Sequence, residues 1–370
     1  VFASRPNSKW GMHKIWFCII ALVCQGCAQT QLPAGTAKWT SQSIAGYGNP
    51  PALSADGSSV YVTGTNLVAL DAVTGAKKWT YNATRGWLEG PPVLSSDGLK
   101  LYVSGDLFAL HTLNGSVMWS YLNFAGYGDP PALSADGNAV YVTGTGLAAL
   151  DAATGAKKWT YEATRGWLGG PSALSPDGLA LYVSSGFYSA GQFGDLFALH
   201  TVSGNVMWSY LNFVGYGGPP ALSTDGHTVY VTGTNLAALD AVTGAEKWTY
   251  NVTRGSLRGQ PALSPDGLTL YVSAGFDSSG QFGDLFALHT LNGSVMWSYL
   301  NFAGYGDPPA LSADGNAVYV TGTGLAALDA ATGAKKWTYE ATRGWLGGPS
   351  ALSPDGLALY VSSGFYSAGQ

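Results

Sequence analysis

The sequence predicts an all-β fold, a β-propeller of four-stranded blades. A tryptophan recurs eight times at steps of 40 or 49 residues, and Asp-Gly pairs, a strong hairpin signal, separate short runs rich in Val, Tyr and Thr. Gly is frequent, and charged residues make up only 11% of the 370 residues. Four short strands in about 40–50 residues are typical of a propeller blade. An open solenoid, the alternative architecture, usually has shorter units and terminal caps.

The recurring tryptophans divide the chain into eight units. They are Trp39, Trp79, Trp119, Trp159, Trp208, Trp248, Trp297 and Trp337. The longer steps contain a nine-residue insertion, as in "YVSSGFYSAGQFGDLFAL" compared with "YVSGDLFAL". The last unit stops at Gln370, where its counterpart at Gln192 continues into another strand. We therefore expect eight blades, the last lacking its outer strand, in a chain truncated at its C-terminal end.

Neighbouring units are of two alternating types, and part of the chain is duplicated. Gly105–Gln192 recurs letter for letter at Gly283–Gln370. This identity indicates either a recent duplication or a sequence-assembly error, and one sequence does not separate the two.

Each unit contains four strand-like segments. The pattern predicts "KKWTYEA" as the first, inner strand, followed by a loop such as "TRGWLGG" and by "PPALSAD". An Asp-Gly turn leads to "NAVYVTG", and a second loop leads to "GLAALDA". On this interpretation, the turn before each tryptophan crosses from the outer strand of one blade to the inner strand of the next.

A glycine turn precedes the tryptophans. Gly75 permits the tight reversal, and Asp71 and Thr74 can hydrogen-bond turn backbone. The same glycine stands at Gly155, Gly244 and Gly333. The series A-x-D-x-x-T-G-x-x-x-W, from Ala69 to Trp79, resembles the tryptophan-docking motif of the PQQ-like, quinoprotein-type β-propeller repeat. The resemblance covers nearly all of residues 32–370 and implies that each indole locks one blade to the next, whereas WD40 and kelch repeats match poorly.

The N-terminal residues predict processing segments. Residues 1–11 have the character of upstream read-through. Residues 12–28 predict a signal peptide, because Lys14 precedes an apolar centre and the segment closes on the small residues Gly26–Ala28. A buried hydrophobic strand is the alternative. The propeller then occupies residues 29–370.

The same stretch bears on membrane attachment and on disulfides. Its apolar run is too short for the roughly 20 residues of a membrane-spanning helix. Cys27 after Gly26 resembles a lipoprotein box faintly, with Cys24 where leucine is expected, so a lipid anchor is a weaker alternative. Cleavage after Ala28 would leave no cysteine in the mature chain.

Charge and repetition argue against nucleic-acid binding and against catalysis. The net charge is -5 without a basic cluster, which excludes a nucleic-acid partner. In alternate units His111, His200 and His289 replace the motif aspartate, but they lie two blades apart, too far for metal bonds of about 2 Å. Eight aspartates belong to Asp-Gly hairpins: Asp56, Asp97, Asp136, Asp177, Asp225, Asp266, Asp314 and Asp355. Near-identical units place equivalent groups on a circle, whereas catalysis needs unlike groups at one point.

One polar set could still encircle the axis. It follows the tryptophans by three or four positions: Asn82, Glu162, Asn251 and Glu340, with Asn123, Asn212 and Asn301. An ion at such a ring is a minor alternative. The resembling family includes quinoprotein dehydrogenases that hold PQQ and calcium near the axis and commonly add paired cysteines. We expect no enzyme activity and no cofactor here.

A binding surface is predicted where the long loops emerge. The loops after the first and third strands carry arginine and aromatic residues, the types enriched in binding hot spots. The candidates are Arg85, Trp87, Arg165, Trp167, Tyr188, Arg343 and Trp345. Mutual packing of the loops is the alternative role. The sequence thus predicts a secreted or periplasmic scaffold that binds a protein or glycan, with a quinoprotein dehydrogenase, active or degenerate, as the alternative.

Overall fold

The computed structural model forms an all-β ring of eight blades. It describes residues 15–23, 33–45, 49–83, 88, 90–104, 107–122, 129–162, 167–186, 193–214, 218–252, 255–257, 259–275, 283–302, 307–341 and 345–366. These residues contain strands and turns without a helix, as the sequence predicts. No helix among them is long and apolar enough to cross a membrane.

Each blade is an antiparallel sheet whose strands are neighbours in order, and we number the blades along the chain. Blade 1 contains Ala52–Leu53, Ser59–Thr63, Asn66–Asp71 and Lys77–Asn82; blade 2 contains Val93–Leu94, Lys100–Val103, Leu107–His111 and Val117–Tyr121. Blade 3 contains Ala132–Leu133, Ala139–Thr143, Gly146–Asp151 and Lys157–Glu162. Blade 4 contains a first strand in two pieces, Trp167–Leu168 and Ala173–Leu174, then Ala180–Gly186, Phe193–His200 and Val206–Val214.

The second half repeats this plan. Blade 5 contains Ala221–Leu222, Thr228–Thr232, Asn235–Asp240 and Glu246–Asn251. Blade 6 contains Ser256–Leu257 with Ala262–Leu263, then Thr269–Gly275, Gly283–His289 and Val295–Phe302. Blade 7 contains Ala310–Leu311, Ala317–Thr321, Gly324–Asp329 and Lys335–Glu340; blade 8 contains Trp345–Leu352, Ala358–Tyr366, Ile15–Val23 and Ala37–Ala45.

The tryptophan strand is the fourth strand of a blade, so the predicted order of strands was wrong. In blade 3, Lys157–Glu162 pairs with Gly146–Asp151 of the same sheet, and the turn between them is a hairpin within the blade. The first strand of blade 8 contacts the first strands of blades 7 and 1, which places first strands at the converging inner edge. Repetition fixes the period of the units but leaves open which strand begins a blade.

The hydrophobic core consists of eight clusters, one at each junction between blades. Second and third strands are buried on both faces and contribute to the clusters on either side. Val140 of blade 3 packs toward blade 2, whereas its neighbour Tyr141 packs toward blade 4. Alternate residues of one strand therefore serve two junctions, which is why "AVYVT" carries no polar face.

Blade 8 is closed by strands from both ends of the described chain. Ile15–Val23 pairs along its length with Ala358–Tyr366 and, on its other side, with Ala37–Ala45. Ala21 packs among core residues of blades 8 and 1, and Leu22 among those of blades 7 and 8. The expected incomplete last blade is thus corrected, because an uninterrupted apolar segment suits a third-strand position buried on both faces. Signal-peptide cleavage stays a prediction, and it would remove this strand.

Candidate functional site

Each tryptophan lies against the turn of the following blade. The turn glycines have φ near 70°, and a Cβ built on Gly75 would stand 2.7 Å from the Trp39 ring. The Trp39 Nε1–H donates to the carbonyl of Ala72 in the same turn at 3.0 Å. Only glycine gives the indole this close approach to the backbone. Trp337 packs on Gly35 at the junction that closes the ring, but its buried Nε1–H has no hydrogen-bond partner among the described residues.

A buried tyrosine that sequence reasoning missed supports each tryptophan. In blade 2 the rings of Tyr102 and Trp119 lie 5.9 Å apart. The Tyr102 hydroxyl and the Trp119 Nε1–H both donate to the carbonyl of Ala152, at 3.1 Å and 3.2 Å. Burial raises the pKa of Tyr102 to about 12, which keeps the hydroxyl a donor. The sequence signal was the tyrosine of every "YV" pair, which pattern reasoning assigned only to a strand face.

The docking turns, which are the glycine turns on which the tryptophans pack, contain aspartate in some blades and histidine in others. Which of the two is present goes with the residue directly before the tryptophan in the following strand. In odd blades the Asp71 carboxylate accepts hydrogen bonds from Thr74 and lies 3.7 Å from Lys78 Nζ. The same ion pair recurs at Asp151–Lys158, Asp240–Lys247 and Asp329–Lys336. Blades 2, 4 and 6 have histidine in the turn and methionine in place of the lysine, whereas blade 8 has Gln31 and Lys38 at these two positions. The three histidines remain on separate blades.

The hairpin aspartates are held by their own turns. Ser54 Oγ donates to Asp56 at 2.5 Å, and the Ser58 N–H donates to it at 3.0 Å. These bonds lower the pKa of Asp56 to about 2, the Ser54 hydroxyl contributing most. The carboxylate therefore stabilises its own hairpin by accepting hydrogen bonds from the turn.

A belt of hydroxyl groups joins the blades near their inner edge. Each blade has a Thr or Ser in or directly after the second strand, toward its loop end, and in seven of the eight blades its hydroxyl donates to a backbone carbonyl at the start of the next blade. Six of these bonds run from Thr63 to Gly90 (2.6 Å), Thr143 to Gly170 (3.2 Å), Ser184 to Gly218 (3.0 Å), Thr232 to Gly259 (3.0 Å), Thr321 to Gly348 (3.1 Å) and Ser362 to Asn49 (2.6 Å). Ser104 donates likewise to Asp129, whereas the buried Ser273 hydroxyl has no partner among the described residues.

Further side chains join blades 3 to 4, 5 to 6 and 7 to 8. Asp129 and Asp307 accept the N–H groups of Gly170 and Gly348 at 2.8 Å and 3.0 Å. Gln260 Nε2 donates to the Pro220 carbonyl at 3.0 Å. Burial raises the pKa of Asp307 to about 6, against the hydrogen bond from Gly348. These bonds join an odd blade to the even blade that follows it.

Four members of the polar set considered for an axial ring do not lie at the axis. Asn82, Glu162, Asn251 and Glu340 end the fourth strands, on the outer edge of their blades, and are exposed. The side chains of Asn123, Asn212 and Asn301 lie outside the described set. The error follows from the strand order, since the ring was placed on a strand interpreted as inner.

The predicted loop surface falls largely outside the described residues. Arg85, Trp87, Arg165, Tyr188 and Arg343 are not among them. Trp167 and Trp345 have described backbones in first strands, and Trp167 pairs with Gly186. Gly186 ends the second strand of blade 4 opposite its Asp-Gly hairpin. The backbone of Trp167 is therefore at the loop end of the blade, whereas the docking turns share the hairpin end.

Eight blades sealed by tryptophan–glycine contacts define a propeller of the PQQ-like, quinoprotein type, which confirms the resemblance. The model of the family described as outer membrane protein assembly factor BamB matches residues 27–211 and 143–363, and the chain belongs to this family. No curated protein matches the sequence significantly.

Solved structures with the same fold include BamB and alcohol dehydrogenases. BamB from Moraxella catarrhalis has a TM-score of 0.59 at 19% identity, over 91% of this chain and 88% of that one. Quinohemoprotein alcohol dehydrogenase from Comamonas testosteroni has a TM-score of 0.63 at 15% identity, over 88% and 75%. The alcohol dehydrogenase ADHIIG from Pseudomonas putida HK5 has a TM-score of 0.61 at 13% identity, over 85% and 73%. At these identities the likeness concerns the fold alone.

The described residues do not fit the PQQ and calcium of the quinoprotein enzymes. Within the described ranges, no three His, Cys, Asp or Glu side chains lie close enough to hold a metal ion. The inner-edge carboxylates of Asp129 and Asp307 accept backbone N–H groups of the next blade. Hard cations such as calcium need six to eight oxygen ligands, which this arrangement does not assemble.

Proposed function

We propose that the chain is a non-catalytic scaffold, secreted or periplasmic, that binds a protein partner. The observation that carries the proposal is membership, over residues 27–363, of the family described as an outer membrane protein assembly factor. The interlocked side chains add support, because the repeated polar groups are used to join blades. No observation on the described residues favours a glycan ligand or a lipid anchor, and we propose neither.

The proposed contact surface is the loop end of the propeller. We assign to it the arginine and aromatic residues predicted from the sequence: Arg85, Trp87, Arg165, Trp167, Tyr188, Arg343 and Trp345. Arg and Trp dominate binding energies at interfaces because they combine large apolar area with directed polar groups. Several equivalent loops would give weak contacts that add through effective concentration.

The test is recovery of a partner from envelope extracts of the source cells by the purified chain. Trp167→Ala combined with Trp345→Ala should remove the partner, whereas Val73→Ala, an exposed change at the opposite end, should retain it. Retention by the tryptophan variant and loss by Val73→Ala would discard the loop surface. The rival function is a quinoprotein dehydrogenase, a class of enzyme that shares this fold, and its test closes the Discussion.

A further inference from the structure

The hairpin end of the propeller exposes a repeated set of large apolar side chains. In blades 2, 4 and 6 the residue after the Asp-Gly pair is leucine, and the middle of the docking turn is leucine or valine. The exposed members are Leu99 and Leu113, Leu179 and Val202, and Leu268 and Leu291. Hydrogen bonds from Thr112 to the Leu99 carbonyl, and from Thr290 to that of Leu268, hold hairpin and turn together. Leu291 is 88% exposed, an unusual position for a leucine.

In blade 6 these side chains border a cleft against blade 7. Leu268, Leu291 and Met296 line a cavity of about 630 Å³ between the two blades. This volume lies within the roughly 300–1,000 Å³ of ordinary ligand pockets. The exposed leucines extend the apolar surface beyond the cleft mouth, so its shape suits a chain segment with several side chains better than a compact small molecule.

The same cleft is lined by acidic groups. Asp266 and Asp314 belong to the hairpins on its two sides, and neither forms an ion pair with a described residue. Hydrogen bonds, first from Ser264 and Ser312 respectively, lower the pKa of both carboxyls, so they are charged at neutral pH. By contrast, the smaller cleft between blades 3 and 4 contains Lys158. The cleft between blades 6 and 7 thus combines apolar and acidic character without this lysine, whose position is occupied by Met296 and, in blades 2 and 4, by Met118 and Met207.

We propose that the cleft between blades 6 and 7, with its equivalents after blades 2 and 4, binds a basic amphipathic segment of a protein. Leucine-sized side chains of the segment would pack on Leu268 and Leu291, and its lysine or arginine side chains would pair with Asp266 and Asp314. The charge of the cleft selects this occupant over a second copy of the chain, which would set aspartates against aspartates. This surface lies at the end opposite the proposed loop surface and does not depend on it.

The experiment measures binding of a short fluorescein-labelled peptide of alternating Leu and Lys to the full chain by anisotropy. Two control peptides replace Lys by Glu or Leu by Ser. We expect binding of the Leu-Lys peptide only, weakened by salt because surface charges are screened over about 10 Å at 0.1 M. Replacing the six exposed apolar residues by Ser should lower affinity about tenfold or more, as expected from lost apolar contact.

A matched variant keeps the test independent of folding. Leu122, Leu211 and Leu300 are also exposed but lie toward the loop end of the fourth strands. Their replacement by Ser should leave affinity unchanged. Asp266→Asn with Asp314→Asn, which preserves the turn acceptors, should reduce the salt dependence and the number of peptides bound. Absence of binding, equal binding of the Glu peptide, or equal loss in the matched variant would overturn the proposal. None of these results would alter partner recovery through the loop surface.

Discussion

At the scale of single residues, one shared backbone carbonyl joins the blades at several junctions, as at Ala152, Ala241 and Ala330. At Ala152 it accepts from both an indole and a phenol of the preceding blade, and the glycine of the same turn lies under the indole. Two buried donors thus share one acceptor, and each would be costly to leave unpaired. This arrangement explains why the turn, the tryptophan and the strand tyrosine recur together.

Two glycine-to-alanine substitutions measure how much the close contact between turn glycine and indole contributes to stability. Gly204 and Gly98 have φ of 72° and 69°. A Cβ on Gly204 would stand 2.6 Å from Cε3 of Trp159, whereas one on Gly98 would meet nothing within 4 Å. Gly98→Ala should cost only the left-handed strain of roughly 1–2 kcal/mol, and Gly204→Ala clearly more. Denaturant midpoints of both variants check this, and equal losses would mean that the indole adapts freely.

The tryptophan itself should be a major source of stability. Trp159→Ala removes an aromatic packed on Gly204 and hydrogen-bonded to the Thr201 carbonyl at 2.9 Å. We expect a loss of about 3–5 kcal/mol in the free energy of unfolding. Trp167→Ala should cost much less if its side chain is free at the loop end. Urea titration compares the two, and similar losses would assign Trp167 to the core and weaken the loop surface.

At the scale of elements, the sequence predicted which segments are strands better than how they assemble. The predicted Asp-Gly hairpins and the predicted number of units were correct, because local turn residues determine the hairpins and the spacing of the tryptophans gives the number of units. The predicted first strand of each blade was wrong, because a cyclic repeat has the same sequence pattern whichever strand is counted first. The role of Ile15–Val23 was also missed, because an apolar segment of nine residues suits both a signal peptide and a doubly buried strand. The tyrosine donors, the hydroxyl belt and the inner-edge carboxylates depend on contacts between blades, which spacing along the chain does not reveal.

The N-terminal strand is tested by its buried side chains. Leu22 is fully buried against Leu346 and Leu359 of blade 8, so Leu22→Ala should cost roughly 2–5 kcal/mol in the chain that retains it. Leu300→Ala, at an exposed position, is the control and should cost little. The mass of the protein recovered from cells gives its first residue. A stable chain starting at residue 29 would show that the propeller closes without this strand.

The carboxyl that joins blades 7 and 8 should make stability depend on pH. Burial raises the pKa of Asp307 to about 6 from 3.8, so the fold favours its protonated form. The contribution of the protonated Asp307 carboxyl to folding stability is fully present below about pH 4 and is lost as pH rises through 6. The hairpin carboxyls act in the opposite sense, since their lowered pKa values cost stability as pH falls below about 4.

Replacing this carboxyl isolates its effect. Asp307→Asn should gain stability relative to the unchanged chain as pH rises from 4.5 to 7.5, because an amide has no ionised form to desolvate. The equivalent position of blade 1 is naturally Asn49. Denaturant midpoints at both pH values give the difference between the two proteins. A difference that stays constant with pH would show that Asp307 titrates normally.

At the scale of the whole molecule, strong repetition favours adhesion between blades over chemistry at the axis. Many of the described buried polar groups hydrogen-bond from one blade to the next, as at Tyr102, Asp129 and Ser184. Blades 2, 4 and 6 differ from the odd blades in exposed side chains, with methionine in place of the strand lysine and leucine after the Asp-Gly pair. These differences lie on the surface of the molecule, where we also propose that partners bind.

The decisive prediction at this scale concerns the quinoprotein alternative. The purified chain, supplied with PQQ and calcium, should bind no stoichiometric PQQ and should oxidise neither alcohols nor sugars in a dye-linked assay. The physical reason is that equivalent blades place equivalent groups on a circle, whereas a cofactor and its metal need unlike ligands at one point. Absorbance of the dialysed protein and its calcium content give the first readout, and dye reduction gives the second. A calcium-dependent PQQ spectrum together with dye reduction would replace the scaffold by an enzyme, whereas PQQ bound without turnover would identify a degenerate one.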